Sequence, residues 1–331
     1  MFSSSAFNTQ SIFQTHSKDE FKDLCLSVFR FQYHHIQVYK RFVDALKVVP
    51  DTVKDLYQIP FMPIEFFKTF DVIPADKQAQ IVFKSSGTTG MQRSRHLIQD
   101  LSIYEKSFTT AFELFYDKIE DYTVLALLPS YIENGESSLV YMANHLIQAS
   151  GHSDSGFFLN DYSALIEKLK ILQARQQKVL LLGVTYALLD LIETESFHFP
   201  DLIIMETGGM KGRRKEMIRE ELHEKLCDGF GVSKIHSEYG MTELLSQAYS
   251  KGDGIFTCPP WMKILIRDAN DPLSFMETGR SGAINVIDLA NIYSVSFIAT
   301  QDLGKMTDAN NFTILGRFDN SDVRGCNLLV I

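Results

Sequence analysis

The chain has 331 residues, of which 45% are hydrophobic, and its formal net charge is −9. This length predicts a large core in one domain or two closely packed ones, and the acidic balance argues against nucleic-acid or membrane-surface binders. Four well-separated cysteines without a Cys-x-x-Cys pair, no signal peptide pattern and no membrane-spanning stretch favour a reduced, cytoplasmic protein.

The first part of the chain reads as helical and then extended. Apolar residues recur at helical spacing from Lys18 to Leu46. The segment around Pro60 and Pro63 must be extended or turned, because the residue before a proline avoids the helical region. We expect residues 1–79 to pack as one segment on the core.

Residues 80–255 alternate between strand and helix patterns. Strands are predicted at 81–84, 123–128, 179–182, 202–205 and 233–236, and helices at 102–116, 138–149, 164–174 and 211–227. Continuous apolar strands in such an alternation indicate an α/β fold with a mainly parallel, helix-flanked sheet. Strand patterns then follow one another without helices, which predicts a small β-rich subdomain over 256–315 and a stub over 316–331.

A Ser/Thr/Gly-rich loop follows the first of these strands, in the sequence FKSSGTTG. Its glycines allow close approach of the backbone to a ligand, and its amides and hydroxyls suit a polyphosphate. The alternative is a flexible surface loop, and a Walker A ending is absent. The residues expected to contact phosphate are Ser85, Ser86, Gly87, Thr88, Thr89 and Gly90.

A second motif, YGMTE, follows the strand predicted at 233–236. Ligands bind at the carboxyl ends of strands in open α/β sheets. Glu243 offers an oxygen ligand for Mg²⁺, Thr242 a hydroxyl for phosphate or metal-bound water, and Tyr239 a ring for stacking on a base. The alternative is a turn that opens a helix, with Thr242 as its cap.

The two motifs, in this order, resemble those of the adenylate-forming superfamily of acyl-CoA synthetases, adenylation domains and luciferases. Gly208 and Gly209 in METGG resemble the glycine pair beside its adenine site. The resemblance implies that Asp302 in ATQDLG holds the ribose hydroxyls and that Arg317 is the ribose-side arginine of the hinge motif GRFDNSDVRG.

Within the superfamily the chain looks most like the LuxE-type acyl-protein synthetases, a branch near phenylacetate-CoA ligase. Segments that carry the resemblance include PFMPIEFFK, FKSSGTTGMQRSRH, ETGGMKGRRKE and EYGMTELLSQAY. The family implies the large adenylation domain and ATP-dependent activation of a fatty acid. It also implies transfer of the acyl group to a cysteine of the protein and hand-over to a partner such as a fatty-acid reductase.

Two departures stand out. Arg93 replaces the lysine that relatives carry after the phosphate loop, and it keeps a cation but not the same hydrogen-bond geometry. We also expect the usual mobile C-terminal domain, with its catalytic lysine, to be missing. Lys211, Arg213 and Arg214 are possible substitutes by their proximity in sequence to Gly209, although a solvated helix face is the favoured explanation.

The reaction implied is attack of a carboxylate on the α-phosphorus of ATP with Mg²⁺, followed by transfer of the acyl group to a thiol. The LuxE-type resemblance implies an acyl cysteine near the C-terminus, which makes Cys326 the predicted acceptor; its position after the hinge-like motif and beside Arg324, which favours thiolate, fits this role. The alternative is a small buried apolar residue in a closing strand.

Two other functions compete with this one: a CoA ligase of the phenylacetate type, and a non-catalytic acyl or nucleotide binder. Gly183 to Ile192 could line a fatty-acid channel or form an ordinary core helix. His96, His145 and His236 have no metal-like spacing and are interpreted as structural.

Overall fold

The computed structural model describes residues 9–14, 17–86, 92–128, 136–208 and 217–317. None of the helices in these ranges is long and apolar enough to cross a membrane. The α-helices in the described ranges are α1 Lys18–His35, α2 Gln37–Ala45, α3 Phe66–Thr69, α4 Leu101–Tyr116, α5 Ser138–Ser150, α6 Tyr162–Ala174, α7 Thr185–Thr194 and α8 Arg219–Phe230.

Polar side chains define where several of these helices begin. Ser17 forms a capping box with Glu20 at the start of α1, in which each side chain bonds the other residue's amide. Asp161 caps α6 by accepting from the Ala164 amide at 3.0 Å. These caps satisfy amides that have no partner within the helix, so the chain enters each helix at a fixed residue.

One sheet contains most of the strands. Its strands are β1 Met62–Pro63, β4 Thr123–Leu127, β5 Gly156–Phe157, β6 Val179–Val184, β7 Ile203–Thr207, β8 His236–Tyr239, β9 Ala248–Ser250, β10 Ile255–Thr257, β11 Met262–Arg267, β12 Ser281–Asp288, β13 Phe297–Met306 and β14 Asn311–Arg317. Their hydrogen-bonded order is β11-β12-β13-β14-β10-β9-β8-β7-β6-β4-β5, and β1 pairs with β13.

The half of this sheet from β5 to β8 is parallel, as predicted. Every residue of β4 and β6 is buried, which is why these strands are apolar throughout instead of alternating. The expectation of an α/β fold with a helix-flanked parallel sheet is confirmed.

The half from β9 to β14 is antiparallel and continues the same sheet, because β8 pairs with β9 and β10 pairs with both β9 and β14. The fold is therefore mixed α/β. Hydrogen bonds cross the position where the sequence predicted a subdomain to begin, residue 256, and the domain limits stay a prediction.

Three predicted elements differ from the structure. The helix expected over 18–46 is interrupted at Ile36, which is extended and fully buried. The strand expected at 233–236 is observed as His236–Tyr239. In the described residues, the helix expected over 211–227 begins only at Arg219, where Glu220 and Glu221 in the first turn favour a helix start.

The strand at 81–84 exists, but it lies outside the large sheet. It is β2, Ile81–Lys84, and it pairs antiparallel with β3, Arg95–Ile98, in a separate two-stranded sheet. Parallel pairing needs a crossover connection of a dozen or more residues. The chain here returns sooner, so a hairpin forms, and we call β2, β3 and their connection the phosphate hairpin.

Candidate active site

The carboxyl ends of the parallel strands bring together two of the predicted motifs. Gly208 directly follows β7, and Gly240 to Glu243 directly follow β8, its neighbour in the sheet. Gly208 has a φ of 77°, in the left-handed region that favours glycine. Its partner in the predicted glycine pair, Gly209, lies outside the described residues.

Two carboxyl groups lie at the same edge, that of the buried Glu206 and that of the half-buried Glu238. The Thr207 hydroxyl donates to Glu238 at 2.6 Å, and the Thr185 hydroxyl donates to Glu206. Burial raises the pKa of Glu238 to about 7, and the charge of Glu206 adds to this rise.

Buried partners hold the backbone of the segment Gly240–Gln247, which we call the acidic loop after its one acidic residue, Glu243. His96 bonds the Thr242 carbonyl through Nδ1 at 2.8 Å, and the Asn291 amide donates to the Glu243 carbonyl at 2.8 Å. Both partners are fully buried. The backbone of Thr242 and Glu243, two of the predicted catalytic residues, is therefore held by two separate partners.

Asp288 holds the far end of the acidic loop. Its carboxylate accepts from the amides of Leu245 at 2.8 Å and Ser246 at 3.0 Å, and from the amide of Ala290 at 3.1 Å. Burial raises the pKa of Asp288 to about 6, although these bonds favour the ionised form.

The Glu243 side chain points to the phosphate hairpin and is 6% exposed. Burial raises the pKa of Glu243, opposed by a hydrogen bond from the Ser94 side chain and by the charges of Arg317 and Lys68. In the part of the chain that the structure describes, no group of three or more His, Cys, Asp or Glu side chains could hold a metal. A single carboxylate fits Mg²⁺, which takes few protein ligands and completes its shell with phosphate and water.

Ser85 and Ser94 pair at the base of the phosphate hairpin, by which we mean the end next to the connection between β2 and β3. The Ser85 amide donates to the Ser94 carbonyl at 3.1 Å, and the Ser94 amide donates to the Ser85 hydroxyl at 2.9 Å. Ser86 is exposed. The other predicted phosphate ligands, Gly87, Thr88, Thr89 and Gly90, lie outside the described residues, so their role stays a prediction.

Arg93 is turned towards the base of the hairpin. Its Nε donates to the Ser85 carbonyl, and its guanidinium lies 3.8 Å from the Glu136 carboxylate. Lys84 pairs with the same carboxylate. Two cations next to the predicted phosphate loop therefore share one counter-ion.

A second cluster joins β8 to β13 and β14. The Tyr239 hydroxyl donates to Asp302 Oδ2 at 2.7 Å, and Arg317 Nε lies 3.9 Å from Asp302 Oδ1. The Tyr239 ring is 8% exposed and packs edge-on against Phe256 and Phe312. The residues predicted for the ribose and base are thus neighbours, although the tyrosine hydroxyl already uses one carboxylate oxygen.

Comparisons with known proteins identify the family and the fold. A family model described as acyl-protein synthetase, LuxE, matches residues 2–331. The chain belongs to the LuxE acyl-protein synthetase family. A long-chain-fatty-acid–luciferin-component ligase of Photorhabdus luminescens is 33% identical over 72 residues, 22% of this chain and 61% of that relative. The match thus spans less than two thirds of the curated relative.

Solved structures of adenylate-forming ligases share the fold. A 2-hydroxyisobutyryl-CoA ligase in complex with 2-HIB-AMP has a TM-score of 0.69 at 12% identity, over 93% of this chain and 70% of that one. ATP-bound MatB from Rhodopseudomonas palustris has a TM-score of 0.53 at 21% identity, over 71% of this chain and 47% of that one. The match to MatB spans about half of that protein's length.

The structure describes three cysteines, of which Cys25 is buried and Cys227 and Cys258 are half-buried. Burial raises the pKa of Cys25, Cys227 and Cys258, which disfavours the reactive thiolate. Cys326, the predicted acceptor, lies outside the described residues, as do Lys211, Arg213 and Arg214.

The predicted acyl channel segment belongs to the core. In helix α7, Thr185 to Leu189 are all buried. Leu188 packs so closely on Gly183 that an added Cβ would lie 2.6 Å from its side chain. In the described residues this segment therefore behaves as a core helix, the alternative that the sequence left open.

The sequence-based reasoning missed the residues that hold the motifs in place. They lie outside the short motifs FKSSGTTG and YGMTE, and although Ser94 and His96 fall within the longer matching segment FKSSGTTGMQRSRH, the resemblance assigned them no role. One signal was available: two polar residues at alternate positions after the phosphate loop place both side chains on one face of a strand. These supporting residues are Ser94, His96, Glu136, Asp288 and Asn291.

Proposed function

We propose that this protein activates a long-chain fatty acid with ATP and Mg²⁺ as an acyl-adenylate. The acyl group then passes to the thiol of Cys326 and from there to a partner protein such as a fatty-acid reductase. The family membership and the fatty-acid ligase from Photorhabdus luminescens support the substrate class. Because the curated match is partial, the activity, substrate and partner are parts of this proposal.

One observation carries the activation step. The Ser94 side chain bonds the buried Glu243 carboxylate, and Ser94 also closes the base of the phosphate hairpin. A site for the triphosphate and a metal-binding carboxylate are thus connected through one residue. This is the arrangement that transfer at a phosphorus atom requires, because positioning and charge neutralisation supply most of the catalysis.

In the activation step a carboxylate oxygen of the fatty acid forms a bond to the α-phosphorus, and the bond to pyrophosphate breaks. The carboxylate is already ionised at neutral pH, so no general base is needed. Mg²⁺ bound through Glu243 would neutralise phosphate charge. The Asp302 carboxylate would accept hydrogen bonds from the ribose hydroxyls, with Arg317 beside the ribose. The Thr242 hydroxyl would donate a hydrogen bond to phosphate.

In the transfer step the thiolate sulfur of Cys326 forms a bond to the acyl carbon, and the bond to AMP breaks. The thiol proton goes to solvent before the attack, and AMP leaves as a phosphate anion that needs no proton. A thiolate is the natural nucleophile for a mixed anhydride. The raised pKa of the three described cysteines supports Cys326 as the acceptor.

ATP–pyrophosphate exchange tests the activation step. We expect exchange that depends on Mg²⁺ and is strongest with long-chain acids, in a panel from acetate to palmitate that also includes aryl acids. If the purified protein gives no exchange with any acid, the non-catalytic binder replaces this proposal.

Labelling with a radioactive fatty acid and ATP tests the transfer step. We expect a protein label that hydroxylamine removes, and Cys326→Ser should lose it while keeping pyrophosphate exchange. Label that appears only on added CoA would favour the CoA ligase, the second candidate, which the fold likeness to 2-hydroxyisobutyryl-CoA ligase supports.

A further inference from the structure

Two buried side chains at the start of β3 reach the acidic loop. Ser94 and His96 are two residues apart, so their side chains leave the strand on the same side. They are 2% and 0% exposed. Ser94 bonds the Glu243 carboxylate, and His96 bonds the Thr242 carbonyl at 2.8 Å. This strand of the phosphate hairpin therefore contacts Thr242 and Glu243, two of the predicted catalytic residues.

The contact at Thr242 defines the tautomer of His96. A carbonyl oxygen can only accept, so Nδ1 must carry the proton and donate. Burial lowers the pKa of His96 to about 4, so the ring is neutral at pH 7 and Nε2 is a bare acceptor. Within the described residues, Nε2 is buried and has no hydrogen-bond partner.

This arrangement is a poor choice for packing alone. A buried acceptor without a partner costs free energy, and a leucine or phenylalanine would fill the space against Phe67, whose ring meets His96 edge-on at 5.4 Å. The imidazole forms one directed hydrogen bond to the Thr242 carbonyl, which an apolar side chain could not form. That bond joins the hairpin to the acidic loop at the residue before Glu243.

We propose that His96 is a positioning residue for acid activation, which holds the Thr242 carbonyl and thereby sets the Thr242 hydroxyl and the Glu243 carboxylate relative to ATP on the phosphate hairpin. This inference rests on the proposed function and goes beyond it, because it assigns His96 a role that acts through the Thr242 backbone. Ser94 fixes the side chain of Glu243, and His96 fixes the backbone that carries it.

Matched substitutions separate this role from a structural one. In His96→Asn the side-chain amide nitrogen can occupy the position of Nδ1 and keep the hydrogen bond to the Thr242 carbonyl. In His96→Gln the longer side chain places its amide near the position of Nε2, so this hydrogen bond is lost. His236→Gln is the control. His236 also has a pKa lowered to about 4, and its Nδ1 forms a hydrogen bond with the Tyr116 hydroxyl at 3.1 Å. It lies at the start of β8, whereas the acidic loop follows the end of that strand.

We expect His96→Gln to lower kcat for acid-dependent pyrophosphate exchange by roughly 10- to 100-fold, because small displacements at a reacting centre have effects of this size. The KM for ATP should change less than about threefold, since a backbone-positioning bond acts mainly on the reacting geometry. His96→Asn should recover most of the rate, and His236→Gln should keep wild-type kcat per folded molecule.

Equal losses in His96→Asn and His96→Gln, or a wild-type kcat in His96→Gln, would overturn the inference while the proposed function stands. A wild type without exchange overturns the proposed function and the inference with it. If His96→Gln does not fold, ring ¹⁵N chemical shifts of the wild type decide: a proton on Nδ1 from pH 5.5 to 8 supports the inference, and a proton on Nε2 contradicts it.

Discussion

The acidic loop and the phosphate hairpin meet at the candidate site, yet they are held in different ways. The acidic loop is fixed by fully buried partners, namely His96, Asp288 and Asn291. The base of the hairpin is held partly by ion pairs of Lys84 and Arg93 with Glu136, whose side chains are 32–36% exposed.

This difference matches two separate roles, holding the metal ligand and binding phosphate. Removing one partner of a buried hydrogen bond leaves an unpaired polar group and costs about 1–3 kcal/mol, whereas an exposed ion pair contributes about 0–1 kcal/mol. The loop that carries the predicted metal ligand is thus fixed before substrate binds. The cations beside the phosphate loop keep a counter-ion that a polyphosphate could replace at little cost.

The largest effect should come from Glu243→Gln, which keeps the shape and removes the charge. We expect pyrophosphate exchange to fall by about 100-fold or more, because a ligand that neutralises transition-state charge is lost. Steady-state exchange across Mg²⁺ concentrations measures this. Thermal unfolding is the control, and an active, folded Glu243→Gln would contradict the metal-ligand role.

Next is Asp288→Ala, which removes the acceptor for three backbone amides. We expect the free energy of unfolding to fall by about 3 kcal/mol or more, since these donors would be left buried and unpaired. Urea unfolding measures the change. A loss below about 1 kcal/mol would show that the acidic loop is less firmly held than the structure indicates.

Glu238→Gln should change how stability depends on pH. Burial raises the pKa of Glu238 from 4.5 to about 7, so the folded state binds the proton more tightly than the unfolded state. The resulting stabilisation is complete below pH 4.5 and is lost as the pH rises through 7. We expect the variant to gain on the order of 3 kcal/mol relative to wild type between pH 4.5 and 8.

Urea unfolding of both proteins at several pH values measures this gain. A constant difference across the range would mean that Glu238 titrates normally in the folded protein.

The sequence predicted the parallel half of the sheet well, because fully buried strands such as β4 and β6 are apolar throughout. It could not show that β9 to β14 continue the same sheet, since pairing between β8 and β9 depends on backbone contacts that leave no side-chain pattern. The pairing of β2 with β3 was missed because a four-residue strand does not reveal its partner.

The site shows the same limit. Tyr239, Glu243 and Asp302 were found because their motifs match a family. Asp288 and Asn291 lie in a different stretch of the chain from the loop that they hold, so only the folded structure could connect them. Base stacking by Tyr239 remains a prediction, since its hydroxyl bonds Asp302 in the structure.

Asp302→Ala tests the second cluster of the site. We expect the KM for ATP to rise about 10-fold with unchanged acid preference, because a carboxylate that accepts ribose hydroxyls contributes to nucleotide binding alone. The same assay with several acids measures both quantities. An unchanged KM for ATP in the folded variant would leave Asp302 with a structural role only, as the partner of Tyr239 and Arg317.

The smallest effect on stability should come from Glu136→Gln, the hairpin counterpart of Asp288→Ala. Its ion pairs with Lys84 and Arg93 are a third exposed, so we expect a loss below about 1 kcal/mol that decreases further with added salt. The KM for ATP should fall about twofold at low ionic strength, because the two cations lose their competing carboxylate. A variant in which the KM for ATP rises instead would show that Glu136 holds Lys84 and Arg93 in place for the nucleotide, and the hairpin would then be preorganised as firmly as the acidic loop.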